Sequence, residues 1–124
     1  MVINYTTEDR DGYLLVKTTG DTRSIEDVEA YIDALVADCE QRGQHSLMLD
    51  HRELNFDRRF AATYDVALRV TRHMSPHRPF RVALVSRPDR MEFARVYEPI
   101  GLGRGMTLKA FEEPQMASVW LTSG

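Results

Sequence analysis

The order of its segments constrains this chain more than any single residue does. Two strand patterns come first, joined by turn chemistry, and helix and strand patterns then alternate to the end. The core strands read as brief apolar runs: Tyr13-Leu14-Leu15-Val16, Leu47-Met48-Leu49, Val82-Ala83-Leu84-Val85 and Met106-Thr107-Leu108. Short parallel strands joined by helices have few ways to bury both faces of a sheet. The expected fold is α/β, in the order β-β-α-β-α-β-α-β-α, with a five-stranded, mostly parallel mixed sheet and helices packed on it.

The 124 residues are the usual size of one domain, and a single domain over 1–124 is expected. Net charge is −3, too little cation for nucleic acid to be a main partner. The charge is uneven. Residues 1–50 hold four Lys/Arg and eleven Asp/Glu, whereas residues 51–95 hold ten Arg and five acids. Arg outnumbers Lys 14 to 2, which reads either as codon bias or as recognition of an anion or carboxylate. The single cysteine, Cys39, allows no internal disulfide and fits a reducing, cytoplasmic setting. The N-terminal residues lack a charged n-region and a long apolar stretch, so no signal peptide is expected. No apolar run approaches the ~20 residues a membrane-spanning helix needs.

Residues 2–7 and 12–19 predict a hairpin closed by Glu8 to Gly12. Ser24 and Asp27 predict a capped helix with Ile25, Val28, Ile32, Leu35, Val36 and Cys39 on one stripe, ended by Gly43. A strand over 46–50 ends at Asp50, and a loop from His51 leads to a helix over about 57–74. Its expected buried stripe is Phe60, Tyr64, Ala67, Leu68, Thr71 and Met74, with Asp65 and Arg69 paired on another face. A strand over 80–86, a helix over about 88–100 interrupted near Pro99, a strand over 106–111 and a short final helix complete the pattern. Met116, Val119, Trp120 and Leu121 are the expected docking residues of that last helix.

This order, the Leu47-Met48-Leu49-Asp50 strand end and the Arg81-Val82-Ala83-Leu84-Val85 strand before a helix resemble the STAS superfamily. The nearest resemblance is to the anti-sigma-factor-antagonist-like (SpoIIAA-like) family, with fold kinship to CRAL-TRIO (Sec14-type) domains. It covers nearly the whole chain. It implies a non-enzymatic regulatory or protein-interaction module, bacterial and homodimeric, or a carrier of a small apolar or amphipathic ligand. In antagonists of that family a phosphorylatable Ser or Thr follows the Asp that ends the third strand. Here residues His51 to Phe60 contain no Ser, Thr or Tyr, so the phospho-switch is expected to be absent.

Candidate site residues fall into two groups. His51, Arg52, Arg58 and Arg59 surround the strand-to-helix loop, where an anionic group or acidic partner could bind; the alternative is a solvated loop paired with Glu53 and Asp57. Tyr64, Phe93 and Tyr97 could line an apolar ligand cavity, or could simply be core. No metal or cofactor is implied. His73 and His77 are separated by Ser75-Pro76, and the glycines of Gly101 to Gly105 follow a helix rather than open one. Cys39 and Ser86 lack the surroundings of a catalytic nucleophile, and no enzyme is expected.

Overall fold

The computed structural model describes residues 3–56, 64–74 and 79–123, with only the backbone for Phe56, Tyr64 and Asp65. Strands β1 (Ile3–Arg10) and β2 (Tyr13–Thr22) pair antiparallel, and Arg10 faces Tyr13 across a two-residue turn. Gly12 takes φ 92° in that turn, a conformation that costs glycine no steric strain. The turn is therefore tighter than the sequence suggests, and β1 runs three residues longer.

Helix α1 (Ile25–Arg42) begins where the Ser24 hydroxyl accepts the Asp27 amide at 3.2 Å and ends at left-handed Gly43. Strand β3 (Ser46–Phe56), helix α2 (Tyr64–Met74), strand β4 (Arg81–Val85), helices α3 (Met91–Arg95) and α4 (Tyr97–Gly103), strand β5 (Thr107–Phe111) and helix α5 (Pro114–Thr122) follow. The strand order is β1-β2-β3-β4-β5, and every pair after the first is parallel. Successive crossovers step the same way across the sheet, and with their usual hand this places their helices on one face. The main core lies there, between Leu14, Val16, Leu47, Leu49, Val82 and Leu84 of the sheet and the helices above it. Among the described residues, helix α5 covers the opposite face, packing Ala117 and Leu121 on Tyr13, Leu15, Met48, Ala83 and Val85.

Four expectations are corrected. Strand β3 does not stop at Asp50 but pairs with β2 as far as Thr22–Phe56. The segment has no Gly or Pro to break it, and Leu54 supplies a buried anchor. The helix expected over 88–100 is a 3-10 turn (Pro88–Arg90) followed by α3 and α4. Pro99 lacks an amide proton and its ring excludes the carbonyl of Arg95, so the α-helical ladder cannot pass. In α5, Met116 and Val119 are exposed, and the docked side is Ala117, Trp120 and Leu121. In α2 the buried side chains are Val66, Ala67, Val70, Thr71 and Met74, a face rotated from the expected stripe. Phe60 and the side chains of Tyr64 and Asp65 lie outside the described residues; Arg69 reaches Glu29 of α1 at 3.3 Å.

Candidate functional site

A bulge in β3 builds the site. Lys17 pairs with Asp50, and Thr19 with Glu53, so His51 and Arg52 together oppose Thr18. A bulge adds a residue to one strand and re-aims the side chains beyond it. Leu47, Leu49 and His51 face the helix layer before it, and Leu54 faces the same way after it. Without the extra residue the alternation of a strand would carry Leu54 to the opposite side.

Under α1 and α2 lies a cavity of about 80 Å³, with mostly apolar walls. Phe93 and Tyr97 line it, as do Val28, Leu84 and Val70. The polar groups converge at one end. Tyr31 Oη lies 2.8 Å from Thr18 Oγ1 and 2.9 Å from His51 Nε2. Burial lowers the His51 pKa to about 4, against the opposing pull of Asp50, so the ring is neutral at pH 7. The same cause raises Tyr31 well above the usual phenol range and Tyr97 to about 12. Arg90, itself buried, donates to the backbone carbonyls of Leu54 and Arg52, tying the 3-10 turn to the extended end of β3.

The first candidate cluster is thus divided. His51 enters the cavity, whereas Arg52 lies on the α5 side, donating Nε and Nη2 to the two Asp50 oxygens at 2.9 and 2.8 Å. Burial opposes ionisation of Asp50, but the Arg52 side-chain and backbone hydrogen bonds outweigh it and hold the carboxyl below its usual range. Arg58 and Arg59 lie outside the described residues. Arg52 instead borders an open polar groove of about 340 Å³ with Arg10, Lys17, Gln115 and Ser118. Of the second candidate group, Phe93 and Tyr97 share the cavity, and the side chain of Tyr64 lies outside the described residues.

Sequence reasoning missed Thr18, Tyr31 and Arg90. Tyr31 had a signal, since it lies three residues after Val28 and four before Leu35 on the apolar stripe of α1. Thr18 and Arg90 had none, because a bulge and a 3-10 turn bring them in. Cys39 is buried and its thiol is pushed up to about 11 by desolvation. Among the described residues no group of three or more His, Cys, Asp or Glu is placed to hold a metal, and no helix is long and apolar enough to cross a membrane.

No protein-family model matches the chain, and no curated protein matches it. Solved structures do. An anti-sigma factor antagonist from Mycobacterium paratuberculosis superposes with a TM-score of 0.59 at 18% identity, over 96% of this chain and 93% of that one. An uncharacterised DUF3478-family protein with a SpoIIAA-like fold, from Shewanella loihica, superposes with a TM-score of 0.60 at 23% identity, over 97% and 94%. The strand order, the antiparallel first pair and these superpositions together show that the chain has the SpoIIAA-like fold.

Proposed function

We propose that the chain is a non-enzymatic module of STAS type whose working part is the cavity beneath α1 and α2, where it binds a small, mostly apolar molecule. The observation that carries this is the cavity itself, apolar along its walls and polar at one end, a common construction of small-molecule sites. The reading gains over the cationic-loop site because Arg52 is engaged by Asp50 and His51 lies on the other face of the sheet. Xenon is a suitable probe, since it enters apolar cavities. Under xenon pressure, amide and methyl resonances of Leu49, Val70 and Leu84 are expected to shift together in NMR spectra. No shift at these positions would remove the reading.

The fold likeness to a protein named as an antagonist of an anti-sigma factor favours a second reading. In it the chain acts in the cytoplasm of a bacterium by binding a protein partner or a second copy of itself. The groove with Arg10, Lys17 and Arg52 is its contact surface. Native mass spectrometry tests the self-association: a dimer mass that disappears on replacing Lys17 and Arg10 with Glu supports it, and a monomer mass for the unaltered chain removes it.

A further inference from the structure

Three residues form a polar row across the sheet. Lys17, Asp50 and Val85 are register partners on β2, β3 and β4. The residues that follow them are Thr18 and His51, at the bulge within β2 and β3, and Ser86, just past the carboxyl end of β4. The row nearer the strand starts, Val16, Leu49 and Leu84, is apolar. His51 and Ser86 both line the cavity, and Thr18 reaches it through Tyr31.

The hydrogen bonds of the lining can be followed group by group. Thr18, Tyr31 and His51 bond in a chain. Thr22 donates to the Asn55 carbonyl and Thr71 to that of Ala67. Arg90 directs Nη1 and Nη2 to the Leu54 and Arg52 carbonyls, and its buried Nε has no hydrogen-bond acceptor among the described residues. Among the hydroxyls of Thr18, Thr22, Tyr31, Thr71 and Ser86, that of Ser86 differs. Ser86 is 4% exposed, and its hydroxyl has no hydrogen-bond partner among the described residues. The Tyr97 hydroxyl, on the same cavity wall, also has none among them. Both hydroxyl oxygens keep some accessible surface, so each is open to an incoming hydrogen-bond partner.

We propose that the cavity receives a small, uncharged, mostly apolar molecule carrying one hydroxyl or carbonyl oxygen, and that this oxygen bonds to Ser86 at the polar end. This rests on the cavity reading and gives it a chemical class. Size sets the first limit. An apolar cavity of about 150 Å³ accommodates benzene. One of about 80 Å³ suits a molecule of some five heavy atoms and excludes a lipid chain. Charge sets the second. The described lining has no carboxylate to receive a cation, and Nη1 and Nη2 of Arg90 are engaged by backbone carbonyls, which leaves an anion no bidentate seat. An ionised ligand would lose its hydration with little to replace it.

Isobutanol and isobutyrate test the class, because they share a branched body and differ in charge. Both are titrated into the isotope-labelled full chain at pH 7.5 and followed by NMR, with xenon as the apolar control. Isobutanol is expected to give saturable shifts at Leu84, Ser86 and Tyr97, and isobutyrate to bind at least about tenfold more weakly, since burial of an unpaired carboxylate is costly. Ser86→Ala is expected to weaken isobutanol about three- to tenfold, the range of one hydrogen bond, while leaving the xenon shifts intact. Isobutyrate binding as tightly as isobutanol, or Ser86→Ala without effect, would overturn the proposal. Xenon entry without isobutanol binding would overturn the proposal and leave the cavity reading standing. Absence of both would remove the cavity reading as well.

Discussion

Tyr31 and His51 meet across the helix–sheet boundary in a 2.9 Å hydrogen bond between Oη and Nε2. The phenol has one proton and two neighbours, because Thr18 Oγ1 also lies 2.8 Å away. One neighbour must therefore donate to it. With His51 neutral, the arrangement in which Thr18 donates to Tyr31 and Tyr31 donates to Nε2 satisfies all three groups, and places the His51 proton on Nδ1.

Tyr31→Phe removes the middle of this chain and leaves Thr18 with a buried hydroxyl and His51 with a ring nitrogen to satisfy. The expected loss of stability is about 1–2 kcal/mol, read as a lower denaturation midpoint in urea. Thr18→Val made on the Tyr31→Phe background is expected to cost less than Thr18→Val alone, since the partner it would abandon is already gone. Strict additivity would show that the bond contributes little.

Two histidines bonded to α1, His51 and His73, respond to pH in opposite directions. Burial lowers His51 to about 4, so between the unfolded value near 6.5 and about 4 the unfolded chain binds the extra proton. Stability from this group falls as pH drops through that window, and the loss is of order 3 kcal/mol in full. His73 is raised, first by its hydrogen bond to Glu29 at 2.8 Å and then by that to Asp33 at 2.7 Å, with Arg69 and Arg72 on its own helix. Its contribution is complete below the unfolded value and disappears as pH rises through the folded one. His51→Gln should flatten the acid limb of a stability–pH curve, and His73→Gln the limb above 6.5. Curves unchanged in shape would show that neither group is perturbed as described.

These particulars also show how far the sequence reached. The strand runs, the Ser24 cap and the Gly43 stop are local features, and local features are legible because each is set by its own residues and near neighbours. The monotonic strand order is what the β-β-α-β alternation implies with short crossovers. The site was less legible because it depends on one inserted residue. A strand ending at Asp50 would put His51 and Arg52 together in a loop, whereas a bulged strand sends them to opposite faces. Nothing in His51-Arg52-Glu53-Leu54 distinguishes the two, since the choice is made by β2, which is long enough to pair as far as Thr22. Phe93 and Tyr97 were legible by spacing, but their polar counterpart Ser86 was visible only as a strand end.

Arg90 fastens the extended part of β3 by donating to the Leu54 and Arg52 carbonyls. Arg90→Met keeps the apolar stem and leaves buried acceptors with fewer donors. The expected cost is about 2–4 kcal/mol, with amide exchange accelerated first in β2 from Thr19 to Thr22 and in β3 from Glu53 to Phe56. Arg90→Lys should rescue little, because an ammonium lacks the two-pronged geometry that reaches both carbonyls. Full protection of these amides in Arg90→Met would mean that the ladder with β2 holds the segment unaided.

Arg81 holds α5 to the sheet by two contacts with one residue. Its guanidinium carbon lies 3.8 Å from the Trp120 ring centroid, and Nη2 donates to the Trp120 carbonyl at 2.8 Å. That carbonyl belongs to the last turn of α5, where the acceptors have no partner inside the helix. Phe111 packs against the same ring, with centroids 5.7 Å apart. Trp120 is the sole tryptophan of the chain, so its fluorescence reports this joint alone. Arg81→Ala is expected to shift the emission to longer wavelength, increase acrylamide quenching and cost about 1–2 kcal/mol, from the stacking and the hydrogen bond together. Arg81→Lys keeps a cation near the ring but loses the planar stack, and should fall between the two. Emission unmoved in Arg81→Ala would show that Ala117 and Leu121 dock the helix without the arginine.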